Sequence, residues 1–289
     1  MTTTARRPVP GAAETTIDDV TGWWRTEISD ISPGVIRYRG YAIEDLIPTT
    51  SYAGMVWLMI RGQRPTPWQE RLLDAALVAA VDHGPQAPSI AASRMAATCG
   101  VGLNNVMATG VGMLGDVHGG AGEQCMSVLA DIVEQATDPT ELRPVADRIV
   151  AEYRSAKRYV PGFGHRFHPR DPRRDPLLSL VATARDDGAV SGQYLHAALA
   201  LEQSLAAGRT RPVPMNIDGA TAVVYAELGF PPPLGRGLFV LSRSVGILAH
   251  GWEQTQQGGR NKGPIPRTLL PTYTGHPARA VEDTTHADR

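Results

Sequence analysis

Residues 238–249, LFVLSRSVGILA, are apolar on nearly every side over a length that suits a helix and exceeds an ordinary strand. A helix of that kind is expected to be buried, either at the centre of a domain or between subunits. Arg243 sits inside it. A guanidinium keeps its proton in any protein environment, so burying it requires an anionic partner. An internal salt bridge and a substrate carboxylate both meet that requirement, and position alone does not choose between them.

The same theme runs outward in both directions. Ala/Leu/Val-rich stretches of helical length, broken by Gly and Pro, cover Ser51 to Arg61, Trp68 to Asp82, Ser89 to Gly115, Gly122 to Ala136 and Thr140 to Lys157. They continue through Leu177 to Ala184, Gln193 to Ala206, Ala220 to Leu228 and Leu234 to Gln254. Only Thr26 to Tyr41 alternates apolar and polar residues, about a Ser-Pro-Gly turn, which predicts a small hairpin or an extended pair. The strand-helix alternation of an α/β sheet is missing, so we expect an all-α fold. Residues 1–20 and 276–289 lack periodicity and are expected to be tails.

At 289 residues the chain can bury a large core, and its 28 Lys+Arg against 29 Asp+Glu create no global field for nucleic acid or an anionic membrane. Two cysteines, Cys99 and Cys125, lie in apolar helical stretches, which suits a reducing compartment, and both are expected in the core. The first residues, Met1 to Glu14, have no apolar segment of a secretory signal. No apolar run approaches the roughly 20 residues of a membrane span. These features predict a soluble, cytoplasmic protein.

Three histidines fall in Gly-rich breaks between helices. His83 lies in VDHGP, His118 in GDVHGGA and His165 in VPGFGHR. The two glycines after His118 let a ligand approach the backbone, and a helix N-terminus that favours negative charge follows. Beyond His165, the cations and potential cations Arg166, His168, Arg170 and Arg173 crowd a Gly/Pro loop. That composition suits phosphate or carboxylate groups and equally describes a solvated basic loop. Asp218, in MNIDGA, has apolar neighbours before an apolar helix. It can be a partly desolvated general base or a helix N-cap.

Two further patterns are discounted. Gly110-Val-Gly112-Met-Leu-Gly115 matches the dinucleotide-binding GxGxxG, yet it closes a helical stretch instead of joining a strand to a helix, so helix packing explains it better. His165 and His168 lack partners at metal-ligand spacing, and no metal is expected.

Taken in order, these segments resemble the citrate synthase superfamily. The resemblance begins with Thr26-Glu-Ile-Ser29, Ile36-Arg-Tyr-Arg-Gly-Tyr41, Ile43-Glu-Asp-Leu46 and Arg61-Gly-Gln-Arg-Pro-Thr66. It continues through VDHGP, HGGA, PGFGHR with Asp171-Pro-Arg173, NID, and the helix bearing Ser242-Arg243. The resemblance implies catalytic roles for His118, His165 and Asp218. His118 would hydrogen-bond the thioester oxygen of acetyl-CoA while Asp218 removes the α-proton, and His165 would polarise the ketone of oxaloacetate. In reverse, His165 would accept the hydroxyl proton of citryl-CoA as the carbon-carbon bond breaks.

The resemblance also places substrate carboxylates on His83, Arg173 and Arg243. It assigns the CoA adenine to Val160, Pro161, Gly162, Phe163 and Gly164, and the CoA phosphates to Arg166 and Arg170. CoA thioesters would be substrates, with no bound cofactor. The loop from His165 to Arg173 is one residue shorter than the usual synthase spacing, leaving Arg170 and Arg173 both open as carboxylate ligands. The chain lacks a block of helices before His83, which resembles citryl-CoA lyases and the C-terminal module of ATP-citrate lyase. The implied architecture is a large helical domain, residues 21–160 and 260–275, with a smaller domain over 161–259 and the site between them. A homodimer or higher homo-oligomer is implied too, with Arg267 or Arg260 reaching across it.

Overall fold

The computed structural model describes residues 21–165, 168–266 and 268–281. The first expected tail, most of the second, Arg166 and Arg267 therefore lie outside the described residues. The chain divides into two compact units, one of the described residues up to Asp82 with Leu114–Arg243, the other of His83–Met113 with the residues from Ser244 onward.

The first unit opens with the expected hairpin, β1 (Ser29–Ser32) and β2 (Val35–Tyr38), paired antiparallel with Ser29 opposite Tyr38 and Ser32 opposite Val35. Gly34 takes the left-handed conformation its turn requires, φ +78°. A two-residue strand, β3 (Tyr41–Ala42), adds to β2. Among the described residues, the regular elements after it are helices, as an all-α fold requires: α1 (Ile43–Leu46), α2 (Tyr52–Arg61), α3 (Pro67–Ala79), α4 (Pro88–Ala97), α5 (Leu103–Gly112) and α6 (Ala121–Gln135). Then come α7 (Leu142–Ser155), α8 (Arg174–Asp186), α9 (Gln193–Ala206), α10 (Ile217–Glu227) and α11 (Pro232–Gln257).

Local chemistry sets the ends. Thr66 and Gln69 form a reciprocal capping box ahead of Pro67 in α3. The Glu227 carboxylate accepts from the backbone N–H groups of Gly192, Tyr194 and Leu195, closing the start of α9.

The core of this unit centres on α10, which buries nine of its eleven residues. It packs against α3, α6, α8 and α9. A short apolar helix, Ala- and Val-rich with little side-chain entropy to lose, suits that crowded position.

The 238–249 stretch is less completely covered than its composition predicts. Leu238, Ser242, Arg243 and Ile247 are buried, whereas Val245 and Leu248 are exposed. A continuous 26-residue helix, about 39 Å long, turns several faces to its surroundings, and among the described residues Val245 and Leu248 are left uncovered.

In the second unit, α4 and α5 pack together. A Cβ on Gly110 would meet Ile247 Cγ2 at 2.6 Å, so close helix packing does account for this glycine. Gly112 and Gly115 have open space instead. Cys125 is buried as expected, whereas Cys99 is exposed, because the turn after α4 carries it out of the packed surface.

Candidate active site

Two short segments of the first unit build the centre. Gly164 N–H donates to Pro214 O at 2.7 Å and Asn216 N–H donates to Gly162 O at 3.0 Å. The Asn216 amide also donates to Gly164 O at 2.7 Å. This short ladder ties the VPGFGH loop to the start of α10, fixing His165 relative to Asp218.

Glycine makes the approach possible. Gly162 has φ +81°, and a Cβ there would lie 2.9 Å from Gly219 Cα and 2.7 Å from Cys125 Sγ. A Cβ on Gly219 would lie 2.4 Å from Gly162 O. Buried Cys125 is the floor beneath this crossing, and burial, then the charge of Asp218, pushes its thiol far above the ordinary range.

Every backbone N–H from Met215 to Gly219 has a partner. Met215 donates to Glu202 Oε1 at 2.7 Å, and Ile217 to Asp171 Oδ2 at 3.1 Å. Asp218 and Gly219 both donate to Asn216 Oδ1, at 2.9 and 3.2 Å. Asn216 is therefore the N-cap of α10, and the Asp218 carboxylate is not spent on that duty. Burial pushes the Asp218 carboxyl up, Arg243 and Arg173 pull it down, Asp171 adds to the upward push, and the net direction is up.

Arg243 is buried, donates from Nε to Ala80 O at 3.1 Å and stacks over the Phe239 ring at 4.9 Å. Burial pulls its pKa down against the opposing charges of Asp218 and Asp82. His118 sits in a turn closed by Gly115 N–H donating to its carbonyl at 2.8 Å. Arg236 fastens that turn, donating to Asp116 at 2.6 Å and also pairing with Glu123. Burial and then Arg243 hold the His118 ring below the ordinary histidine range.

Burial also lowers His165, helped by His168 and Arg173 and opposed by Asp171. The backbone N–H of His168 donates to His165 Nδ1 at 3.1 Å. That contact leaves the proton of the neutral ring on Nε2, a donor for a ketone or alkoxide oxygen.

Arg173 donates from Nε and Nη2 to the two oxygens of Asp171, at 2.9 and 2.8 Å. Arg170 makes the same bidentate pairing with Asp175, at 2.8 Å for both bonds. His83 belongs to the second unit, in the turn ahead of α4, where its carbonyl accepts from Gln86 Nε2 at 3.2 Å.

Beside Val160, Phe163, Gly164 and His165 lies a cavity of about 500 Å³ that also meets Arg154, Arg158 and Arg209. Sequence reasoning missed these three arginines. Arg158 stands two residues before the VPGFGH loop and was the signal available; Arg209, distant in sequence, reaches the cavity only through the fold. Among the described residues, no three His, Cys, Asp or Glu side chains are grouped to hold a metal, and no helix is long and apolar enough to cross a membrane.

Neutral histidines, a desolvated carboxylate and two arginines in a helical framework are the kinds of group that acid-base chemistry on a substrate with carbonyl and carboxylate groups requires. The comparisons with known proteins agree in kind. Residues 47–268 match the family model "Citrate synthase, C-terminal domain". Over 228 residues the chain is 30% identical to citrate synthase of Haloferax volcanii, covering 78% of this chain and 55% of that protein. It thus spans little more than half the length of the curated relatives it matches. Citryl-CoA lyase from Hydrogenobacter thermophilus superposes with a TM-score of 0.77 at 31% identity, over 89% of this chain and 97% of that one. An ATP citrate lyase from Methanothrix soehngenii, at 20% identity and TM-score 0.72, shares the fold.

The chain belongs to the citrate synthase family of enzymes.

Proposed function

We propose that this protein makes and breaks the carbon-carbon bond joining the acetyl group of a CoA thioester to oxaloacetate, with citryl-CoA as the bonded species. The observation that carries this reading is Asp218: a desolvated carboxylate that feels the charges of Arg243 and Arg173, on a backbone whose amides are all held, beside the loop that carries His165. Near-complete coverage of a citryl-CoA lyase, against about half of a citrate synthase, supports cleavage of citryl-CoA.

In condensation, Asp218 takes the α-proton of acetyl-CoA while His118 hydrogen-bonds the thioester oxygen, where enolate charge collects. The Nε2–H of His165 hydrogen-bonds the ketone oxygen as it becomes an alkoxide. In cleavage the alkoxide collapses, the electron pair of the breaking bond forms the acetyl-CoA enolate, and protonated Asp218 returns a proton to its carbon. Protonation of the alkoxide in condensation and acceptance of the hydroxyl proton in cleavage are one transfer at His165 Nε2, run in opposite directions. Arg173 and Arg243 hold carboxylates. The cavity beside Val160–Gly164 takes the adenine end of CoA, with Arg158 and Arg209 for its phosphates, because Asp175 already occupies Arg170.

Val245, Leu248 and Trp252 are exposed and, at spacings of three and four, share one face of α11. We assign that face to a homodimer.

The test is to incubate the protein with citryl-CoA and follow all four products by mass spectrometry. Oxaloacetate with acetyl-CoA is the expected result. Citrate with free CoA would mean a synthase that hydrolyses citryl-CoA, and intact citryl-CoA would overturn the reading.

A further inference from the structure

Asp171 is a carboxylate whose side chain is fully buried and which the chemistry above does not use. Its oxygens accept four N–H groups from two different parts of the site. Oδ1 takes Arg173 N–H and Nε–H, at 3.0 and 2.9 Å. Oδ2 takes Arg173 Nη2–H at 2.8 Å and the backbone N–H of Ile217, the residue before Asp218, at 3.1 Å.

Two consequences follow from the geometry of a guanidinium. With Nε and Nη2 held on one edge, the plane of Arg173 cannot rotate, and the Nη1/Nη2 edge is the one presented to a ligand. That edge makes a two-bond pairing with a carboxylate. Because Oδ2 is shared, the same carboxylate also ties the Arg173 loop to the first turn of α10. We infer that Asp171 is a positioning residue, setting the direction of the carboxylate-binding Arg173 and the location of the base Asp218 through one pair of oxygens.

A purely structural brace would look similar, and the molecule supplies the comparison. Glu202 accepts from Met215 N–H on the same segment and pairs with Arg174, yet does not touch Arg173. It braces the same backbone without directing the ligand-binding cation.

The inference rests on the proposed function, and the experiment separates the two. Steady-state kinetics would compare the wild type with Asp171→Asn and Glu202→Gln in the condensing direction. Asp171→Asn should raise KM for oxaloacetate at least tenfold and leave KM for acetyl-CoA within about twofold. Its acid limb should move to lower pH, because Asp171 holds up both Asp218, which Arg243 and Arg173 oppose, and His165, which His168 and Arg173 oppose. Glu202→Gln should lower thermal stability without that split or shift. Asp171→Glu keeps the charge but displaces the oxygens, so it should restore the acid limb and not the KM. This variant decides the matter if Asp171→Asn fails to fold.

Unchanged KM values and an unchanged acid limb in folded Asp171→Asn would overturn the inference, as would the same KM split in Glu202→Gln. If the wild type turns over neither acetyl-CoA with oxaloacetate nor citryl-CoA, the functional reading fails. Titration of the His165 ring by NMR, which needs no substrate, then judges Asp171: a lower pKa in Asp171→Asn supports the inference, and no change overturns it.

Discussion

Asp218, the proposed base, shows how the chemistry proposed for a residue can oppose stability. Burial raises its folded pKa above the unfolded value, so the stability linked to it is present at low pH, with the proton bound, and is lost as pH rises through the folded pKa. At neutral pH, well above the unfolded pKa, the raised folded pKa is a cost. Asp218→Asn should therefore raise the melting temperature at pH 7 while lowering turnover at least a hundredfold, measurable by calorimetry and product assay on the same sample. The histidines act in the opposite direction. Burial, before any charged neighbour, lowers both His118 and His165, so both rings stay neutral below the ordinary histidine pKa of about 6.5. Both rings should accordingly titrate below pH 6.5, as NMR of their ring protons would reveal; titration at or above it would contradict the roles proposed for these rings.

At the scale of elements, the site depends on one close crossing between the VPGFGH loop and α10. Gly162 permits it twice over, through a positive φ and through the missing Cβ that would press on Gly219 and Cys125. Gly162→Ala should destabilise the protein by about 2 kcal/mol or more and reduce activity beyond what the stability loss explains, because the loop that moves carries His165. A denaturant melt with kinetics well below the transition would separate the two effects. The ladder is short, so strain there has few hydrogen bonds over which to spread.

For the whole molecule, the exposed face of α11 makes assembly the property to test. Sedimentation should give twice the 31.0 kDa chain mass, and Trp252→Glu, which places a charge among exposed apolar side chains, should return the monomer mass. A wild-type monomer would remove the dimer from the functional proposal.

The sequence by itself determined the helical class, because long Ala/Leu/Val-rich stretches with Gly and Pro breaks leave no alternating pattern for a sheet beyond residues 26–41. It also determined the family, since VDHGP, HGGA, PGFGHR, NID and Ser242-Arg243 are short motifs whose order survives in one dimension. Only the tertiary structure decided who partners whom. Asn216, two residues before Asp218, caps α10; Asp175 occupies Arg170; Asp171 turns Arg173; and Arg209 reaches the cavity beside the VPGFGH loop. Hydrogen bonds and ion pairs act over a few ångströms between residues that stand far apart in the chain, as Gly164 and Asn216 do, and local composition carries no record of such distances. The burial of Asp218 and the two histidines is likewise a property of the packed helices, and it sets the charge states on which the chemistry depends.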